Sequence, residues 1–370
     1  MIIKTDEFKQ ICSKILSAVD SNELSIVTET LELKTINSEL IMAVTNKEYY
    51  VSVRLPLASN EQFHATVNAN LFLKLISQIT TADIELTMDS NSLIVKGNGK
   101  YKLPLIFDDD KLLELPEILI KNSVKSFNIN SDILSSILAY NSKELLKGMI
   151  SKPVQKLYYV DELGALTFTS GACVNSFSLQ EPLKILLSDR IVKLFKLFNN
   201  CDVLFTLGYD TINGGITQTK VKFETTQISL TAILSCDDTL LNSVPVNAIR
   251  GRANNTYQYS VNIDKNALLQ TINRLLLFNN SNGSVKPYSR FEFMPDAVKV
   301  WDVAKVNSEI ISYNNTSLQD TYEATFDLTD LKATLESCSE QYLTLSFGDH
   351  QAIVLSRGNI KNVIPEVKLV

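Results

Sequence analysis

The sequence predicts an α+β protein built from three tandem repeats, each composed of two β-α-β-β-β units. Three observations predict it. Three segments open alike, with a short alternating strand running into a helix: MIIKTDEFKQICSKILSAV from Met1, SFNINSDILSSILAY from Ser126 and QYSVNIDKNALLQTINRLLLF from Gln258. Each is followed by a second unit of the same kind, FHATVNANLFLKLISQI from Phe63, LKILLSDRIVKLFKLF from Leu183 and YEATFDLTDLKATLESC from Tyr322. After the second helices come strand–turn–strand runs, clearest in ADIELTMDSNSLIVKGNGKYKLPLIF from Ala82. Recurrence of one pattern in constant order is the mark of a repeat architecture.

Residue spacing justifies each element. Phe127 and Ile129, like Tyr259, Val261 and Ile263, alternate with polar residues as a half-buried strand requires. Phe8, Ile11, Cys12 and Ile15 recur at the helical period, as do Leu268, Leu269, Ile272, Leu275 and Leu276. Thr5, Ser131 and Asp264 stand where the free first-turn amides of the first helices need an acceptor, and Asn68, Ser188 and Asp327 do so for the second helices. Polar turns at Asp89–Asn91 and Gly97–Gly99 join the strands of the first meander. Polar interruptions near Lys121–Ser123 and Gly251–Asn255 divide the chain into domains 1–122, 123–252 and 253–370.

Helices alternating with antiparallel meanders should cover one face of each sheet. Joined end to end, such domains can form an arc whose sheets continue across the boundaries. The open sheet edge at each end can then pair with a second copy.

Bulk properties narrow the function. The chain has 370 residues, 45% of them hydrophobic and 21% charged, which fits a folded globular protein of two or three domains. A formal charge of −6 excludes a protein that grips nucleic acid by bulk positive potential, while leaving room for a local basic surface. No apolar run approaches the roughly 20 residues a membrane helix needs, so no membrane partner is expected. The first residues carry acids where a signal peptide has its apolar stretch, so a cytoplasmic location is expected.

No catalytic constellation is apparent. Cys12, Cys173, Cys201, Cys236 and Cys338 are scattered singly, and His64 and His350 lie far apart in different units. Asp108–Asp110 reads as an acidic linker loop rather than a metal site, and the glycines at Gly97/Gly99 and Gly214–Gly215 read as hairpin turns rather than a phosphate loop. Neither a metal nor a cofactor is expected. The alternative to an enzyme, on these features alone, is an interaction scaffold.

With the repeats laid out, the chain resembles the beta sliding clamp of bacterial DNA polymerase III over its whole length. The most specific stretch is FHATVNANLFLKLISQI…ADIELTMDSNSLIVKGNGKYKLPLIFDDDKLLELPEI, with its acidic loop and the Leu115–Pro116 linker; VIPEVKLV from Val363 is similar to that family's terminal tail. The resemblance implies the DNA-clamp fold in a head-to-tail homodimeric ring, with helices lining a central channel and antiparallel sheets outside. Duplex DNA passes through, held by topology. It also implies partners, a DNA polymerase and clamp-loader subunits, that dock through short linear peptides. The expected role is that of a non-enzymatic processivity factor in the cytoplasm at the nucleoid, here divergent enough to suit a phage or mobile element. The rival reading is a repeat-built scaffold that never encircles DNA.

Residue by residue, the resemblance assigns a loose cushion for phosphates to Lys9, Lys14, Lys74, Lys147, Lys152, Arg190, Lys193, Lys196, Lys265, Arg274 and Lys332. It places the peptide pocket at TSGACV, where Thr169, Gly171 and Val174 agree with the family's threonine–aspartate–glycine–histidine–arginine–leucine segment. Ser170, Ala172 and Cys173 depart from it, and the arginine that usually walls the pocket is missing. Cys173 is kept in the pocket with Val154, Val244, Pro245, Ile364, Pro365, Val367 and Leu369. These departures imply an altered peptide preference.

Overall fold

A computed structural model of the chain describes every residue except 21–24, 59–60, 146–151, 213–215, 235–237, 280–285, 303, 315–316 and 369–370. Lys147, Leu369, Cys236 and the Gly214–Gly215 turn therefore lie outside the described residues. The helices are α1 (Thr5–Leu16), α2 (Ala69–Gln78), α3 (Ser131–Ser136), α4 (Ser142–Leu145), α5 (Asp189–Lys193), α6 (Asp238–Asn242), α7 (Val246–Ala253), α8 (Lys265–Asn279) and α9 (Leu328–Glu336). One π-helical turn, Ile137–Asn141, joins α3 to α4. No described helix is long and apolar enough to cross a membrane.

Three of the expected helix caps form. Asn68 accepts from the Leu71 amide at 3.0 Å, Asp264 from Ala267 at 2.8 Å, and Asp327 from Thr329 at 2.8 Å. Thr5 and Ser131 do not cap. Thr5 already belongs to α1; its amide donates to the Ala82 carbonyl and its hydroxyl is buried without a partner among the described residues. Asp6 and Glu7 place negative charge on the exposed amides of that first turn instead. At α3, Asn130 accepts from the Asp132 amide at 2.7 Å, while the Ser131 hydroxyl accepts from the Cys201 amide. In both cases the residue is already the first of its helix, and its amide donates to the carbonyl of the residue just before a neighbouring strand, Ala82 or Cys201.

Cα packing divides the chain into two compact units, Met1–Ser135 with Arg190–Cys236, and Ser136–Asp189 with Asp237–Val370. The middle third, expected as a domain of its own, is thus shared between them. Main-chain pairing is the reason. In the first unit an eight-stranded sheet runs Asn122–Asn130, Asp202–Ile212, Ile216–Glu224, Ile228–Ile233, Tyr49–Pro56, Glu39–Thr45, Thr30–Ile36, His64–Asn68. Its central seam opposes Ile228 to Val53 and Leu230 to Val51, fusing strands from two expected domains into one ladder. Ile2–Lys4, Asp83–Met88, Ser92–Lys96 and Lys100–Pro104 form a second sheet in that order. Phe8 of α1 meets Phe72 of α2 edge-on at 6.0 Å, and Phe195 and Phe205 both pack edge-on against Phe223.

The second unit repeats this plan. Its eight-stranded sheet runs Lys184–Ser188, Leu157–Asp161, Gly164–Phe168, Ala172–Ser176, Ile360–Pro365, Ala352–Arg357, Tyr342–Phe347, Tyr259–Asp264. A four-stranded sheet runs Ser308–Ser312, Ala297–Trp301, Tyr288–Phe293, Tyr322–Asp327. α8 and α9 contribute Leu268, Ile272, Leu275, Leu331 and Leu335 to a core that includes the stacked pair Phe293 and Phe347, 4.1 Å apart. The partly buried Leu269 and Leu276 pack against it, so the predicted α8 stripe is the buried one.

One buried ion pair fixes the segment that leads out of the first meander. Lys220 donates to Asp210 at 2.5 Å and to the Leu119 carbonyl at 2.8 Å, and Asp210 accepts from the Lys121 amide at 2.9 Å. Leu115 packs beside Ala43 and Tyr50. The Lys220 hydrogen bond, with the amides of Lys121 and Asn122, holds the Asp210 carboxyl below the usual carboxylate range. A depressed carboxylate stabilises the fold above its unfolded pKa, near 4, and loses that contribution as pH falls through the folded value. In urea titrations Asp210→Asn should therefore cost most at pH 7, and the gap to the unaltered protein should narrow below about pH 4.

Candidate partner-peptide site

The second unit carries two adjoining clefts, and sheet register makes them. The Ala172–Ser176 strand pairs with Ile360–Pro365, opposing Ala172 to Val363. This lays the carboxyl-terminal strand directly beside the Thr169–Gly171 turn, which is closed by the Thr169 amide donating to the Gly171 carbonyl at 2.8 Å. A Cβ on Gly171 would stand 2.6 Å from the Val363 carbonyl oxygen, so only glycine allows that approach. Beneath the turn the Thr169 hydroxyl bonds the Glu144 carboxylate, and Ser170 donates to Asp330 at 2.5 Å.

The opposite wall is α7. Pro245, Ala248, Ile249 and Arg252 recur every three or four residues and so share one helix face. Arg250 falls on the other side, where its two guanidinium nitrogens each meet an oxygen of the buried Asp161 at 2.6 Å. That bidentate bond raises the Arg250 pKa further, and it sets which way the helix faces. Lys361 donates to Asn254 at 2.9 Å and ties the end of α7 to the carboxyl-terminal strand.

The first cleft, about 220 Å³, is lined by Phe168, Thr169, Ser170, Gly171, Ala172, Pro245, Ala248, Ile249, Arg252, Val363 and Pro365. The second, about 300 Å³, is lined by Lys152, Gln155, Thr169, Ser170, Lys286, Tyr288, Asp327, Asp330, Ile364, Pro365 and Val367. Thr169, Ser170 and Pro365 form the ridge they share.

Of the expected pocket residues, Thr169, Gly171, Pro245, Ile364, Pro365 and Val367 line one cleft or the other. Val154, Cys173, Val174 and Val244 line neither. Cys173 and Val174 lie on the fourth strand of the eight-stranded sheet and are buried; burial pushes the Cys173 thiol up to about 12, far from a reactive thiolate. Both faces of this strand are covered: Ala172 through Asn175 are all buried, Cys173 with its thiol 3.6 Å from the Tyr140 carbonyl, and only Ser176 is exposed. The arginine missing from TSGACV has a counterpart elsewhere: Arg252 brings a guanidinium to the first cleft from α7. Ala248, Ile249 and Arg252 were overlooked in the sequence, although their spacing with Pro245 carried the signal. Lys286, Tyr288 and Asp330 come from a distant part of the chain, and no local pattern marks them.

The basic residues expected on one surface have varied surroundings. Lys152 lines the second cleft. Lys265 donates to the Cys338 carbonyl at 3.0 Å, and Arg274 grips Glu309 with two bonds of 2.7 and 2.6 Å. Lys332 lies 3.8 Å from Glu336 and Arg190 lies 3.9 Å from Asp20. Lys74, Lys193 and Lys196 are exposed on α2 and the α5 segment, and Lys9 and Lys14 are half-buried on α1. His64 bonds the buried Glu32 at 2.9 Å, and His350 stacks on Tyr322 at 4.7 Å. No group of three metal-binding side chains occurs among the described residues. The clefts combine apolar and charged lining, an arrangement suited to docking a ligand that carries both kinds of group.

No family model matches the chain. Among curated proteins it is similar to the beta sliding clamp of Helicobacter pylori strain J99, 24% identical over 198 residues that cover 49% of this chain and 51% of that protein. The beta sliding clamp of Mycoplasmopsis pulmonis is 25% identical over 122 residues, covering 32% and 31%. The chain thus spans about half the length, or less, of the curated relatives it matches. Among solved structures, the DNA polymerase III subunit beta of Pseudomonas aeruginosa superposes with a TM-score of 0.79 at 14% identity, covering 100% of both chains. The subunit beta of Borrelia burgdorferi, solved with a natural product, gives 0.78 at 12% identity over 100% and 99%. A Pseudomonas aeruginosa sliding clamp bound to griselimycin gives 0.78 at 13% over 100% and 99%. At these identities the likeness is one of fold, and it extends along the whole chain.

Because Asp161 is 5% exposed and Arg250 16%, removing either charge leaves the other buried without its partner. Asp161→Asn should destabilise the second unit by about 3 kcal/mol. Hydrogen exchange should rise in residues 246–253 before it rises in the sheet, since the helix loses its anchor while the ladder keeps its own bonds.

Proposed function

We propose that the chain is a sliding clamp: two copies close head to tail into a ring around duplex DNA and tether a DNA polymerase to it. The observation that carries this reading is the whole-chain likeness in fold to DNA polymerase III beta subunits. The curated relatives named beta sliding clamp support it independently through sequence. In this reading the three repeats act as three domains of each subunit, with continuous sheets on the outside. The exposed lysines of α2 and the α5 segment, with the half-buried lysines of α1, face the duplex, loosely enough for sliding. No bond is made or broken.

Two open sheet edges suit the closure. Lys100–Pro104 ends one four-stranded sheet and Ser308–Ser312 ends the other. Both carry outward apolar side chains, Tyr101 on the first and Ile310 on the second, with Val306 exposed nearby. An unpaired apolar edge is an aggregation hazard unless another strand covers it, and pairing the two edges between copies removes both at once. Leu277 and Phe278, exposed near the end of α8, add apolar area for the same contact.

The paired clefts are the docking site for short peptides of the polymerase and of clamp-loader subunits, as their apolar lining ringed by polar groups supports. The low identity and the altered TSGACV segment fit a cytoplasmic protein of a phage or mobile element with its own polymerase.

Light scattering should give a mass near twice 41.4 kDa, with closed annuli in negative stain, and Ile310→Asp should halve the mass. A strict monomer at micromolar concentration favours a scaffold without encirclement and sinks the ring. Reversing Lys9, Lys14, Lys74 and Lys196 together should shorten primer-extension products at about 0.15 M salt by severalfold, since each contributes to counterion release. Unchanged processivity removes these residues from the channel.

A further inference from the structure

The two clefts differ in charge in a way that specifies what enters them. Lys152 and Lys286 line the second cleft, and Arg252 lines the first. All three are exposed, and none has an ion-pair partner among the described residues. The two acids of the second cleft are already engaged. Asp327 accepts the amides of Thr329 and Asp330 as the cap of α9, and Asp330 accepts the Ser170 hydroxyl. The first cleft holds no acid. A protein of net charge −6 therefore presents, around one apolar hollow, three cations free of ion pairs among the described residues, Lys286 lying 6.0 Å over the Tyr288 ring.

We infer that the paired clefts select a peptide in which an aliphatic anchor is flanked by side-chain carboxylates: the anchor seats between Ile249 and Val363, and a carboxylate crosses the Thr169–Pro365 ridge to Lys152 and Lys286. This rests on the reading that the clefts hold partner peptides, and it names their chemistry. The geometry favours a peptide over nucleic-acid phosphates. The second cleft has an apolar floor of Ile364, Pro365 and Val367, and fixed carboxylates stand at its edge. A phosphate backbone brings repeated charge and nothing apolar for that floor, whereas a peptide brings its carboxylates beside an apolar group that the floor receives. Exposed cations around an apolar centre also steer an acidic partner during encounter, so the selectivity is sensitive to salt.

The test uses full-length protein and three fluorescein-labelled octapeptides, acetylated and amidated at their ends. Each has two central leucines; the flanking positions are aspartate, asparagine or lysine. In anisotropy titrations at 50 mM salt the aspartate peptide should bind about tenfold more tightly than the asparagine peptide, as expected of two partly exposed ion pairs. The lysine peptide should bind weakest, and the spread should shrink at 0.5 M salt. Lys152→Glu combined with Lys286→Glu, checked for folding by circular dichroism, should invert the order. Ile249→Asp should weaken all three peptides.

Equal binding of the aspartate and asparagine peptides, sensitive to Ile249→Asp, overturns the charge selection and leaves the docking site standing. No binding of any peptide up to millimolar concentration overturns both. Displacement of the aspartate peptide by an equimolar short DNA duplex overturns the inference by assigning the cations to phosphate.

Discussion

Ala172 and Val363 oppose each other in an antiparallel ladder, and most of the second unit's functional geometry depends on that register. Backbone amides and carbonyls of buried strands must pair, so two meanders from remote parts of the chain become one sheet. Once Ile360–Pro365 is bonded there, Pro365 reaches the Thr169–Gly171 turn, and the following residues lie along the second cleft. Val367 is held in place by its amide donating to the Thr325 carbonyl at 2.8 Å. A shift of one residue would turn every side chain of that strand to the opposite face and fill the hollow. The same principle acts in the first unit, where Ile228–Ile233 pairs with Tyr49–Pro56.

Much of this architecture was legible in the residues. Period-3.6 stripes located α1, α2, α8 and α9, and three of the proposed caps hold their helices. Thr5 and Ser131 misled because cap preference is local, whereas their main-chain bonds to Ala82 and Cys201 come from strands remote in sequence. The division into compact units was hidden for the same reason. Polar interruptions mark where the pattern restarts, but they are silent about which strands pair across them.

The site was half legible. Thr169, Gly171 and Pro365 were found through resemblance to a motif, which preserves the turn and the tail. Cys173 shows the limit of that route, since motif position does not report which face of a strand a side chain takes. Lys152 was expected near DNA because it follows the right helix; the structure seats it beside Gln155 and Ser170. Lys286 and Asp330 joined it only through folding. Arg252 brings a guanidinium to the first cleft from α7, a placement that the TSGACV segment does not report.

The Gly171 contact has a consequence for assembly of the hollow. The hollow draws its walls from the 152–172 stretch, from α7, from 286–288, from 327–330 and from 363–367, so segments remote in sequence must come together before it exists. A nascent or truncated chain ending before Ile360 retains the turn and α7 but has no strand to lie against Gly171. Such a product lacks one wall of the hollow. The hollow is thereby conditional on long-range strand pairing, so its integrity reports on the folding of the whole second unit.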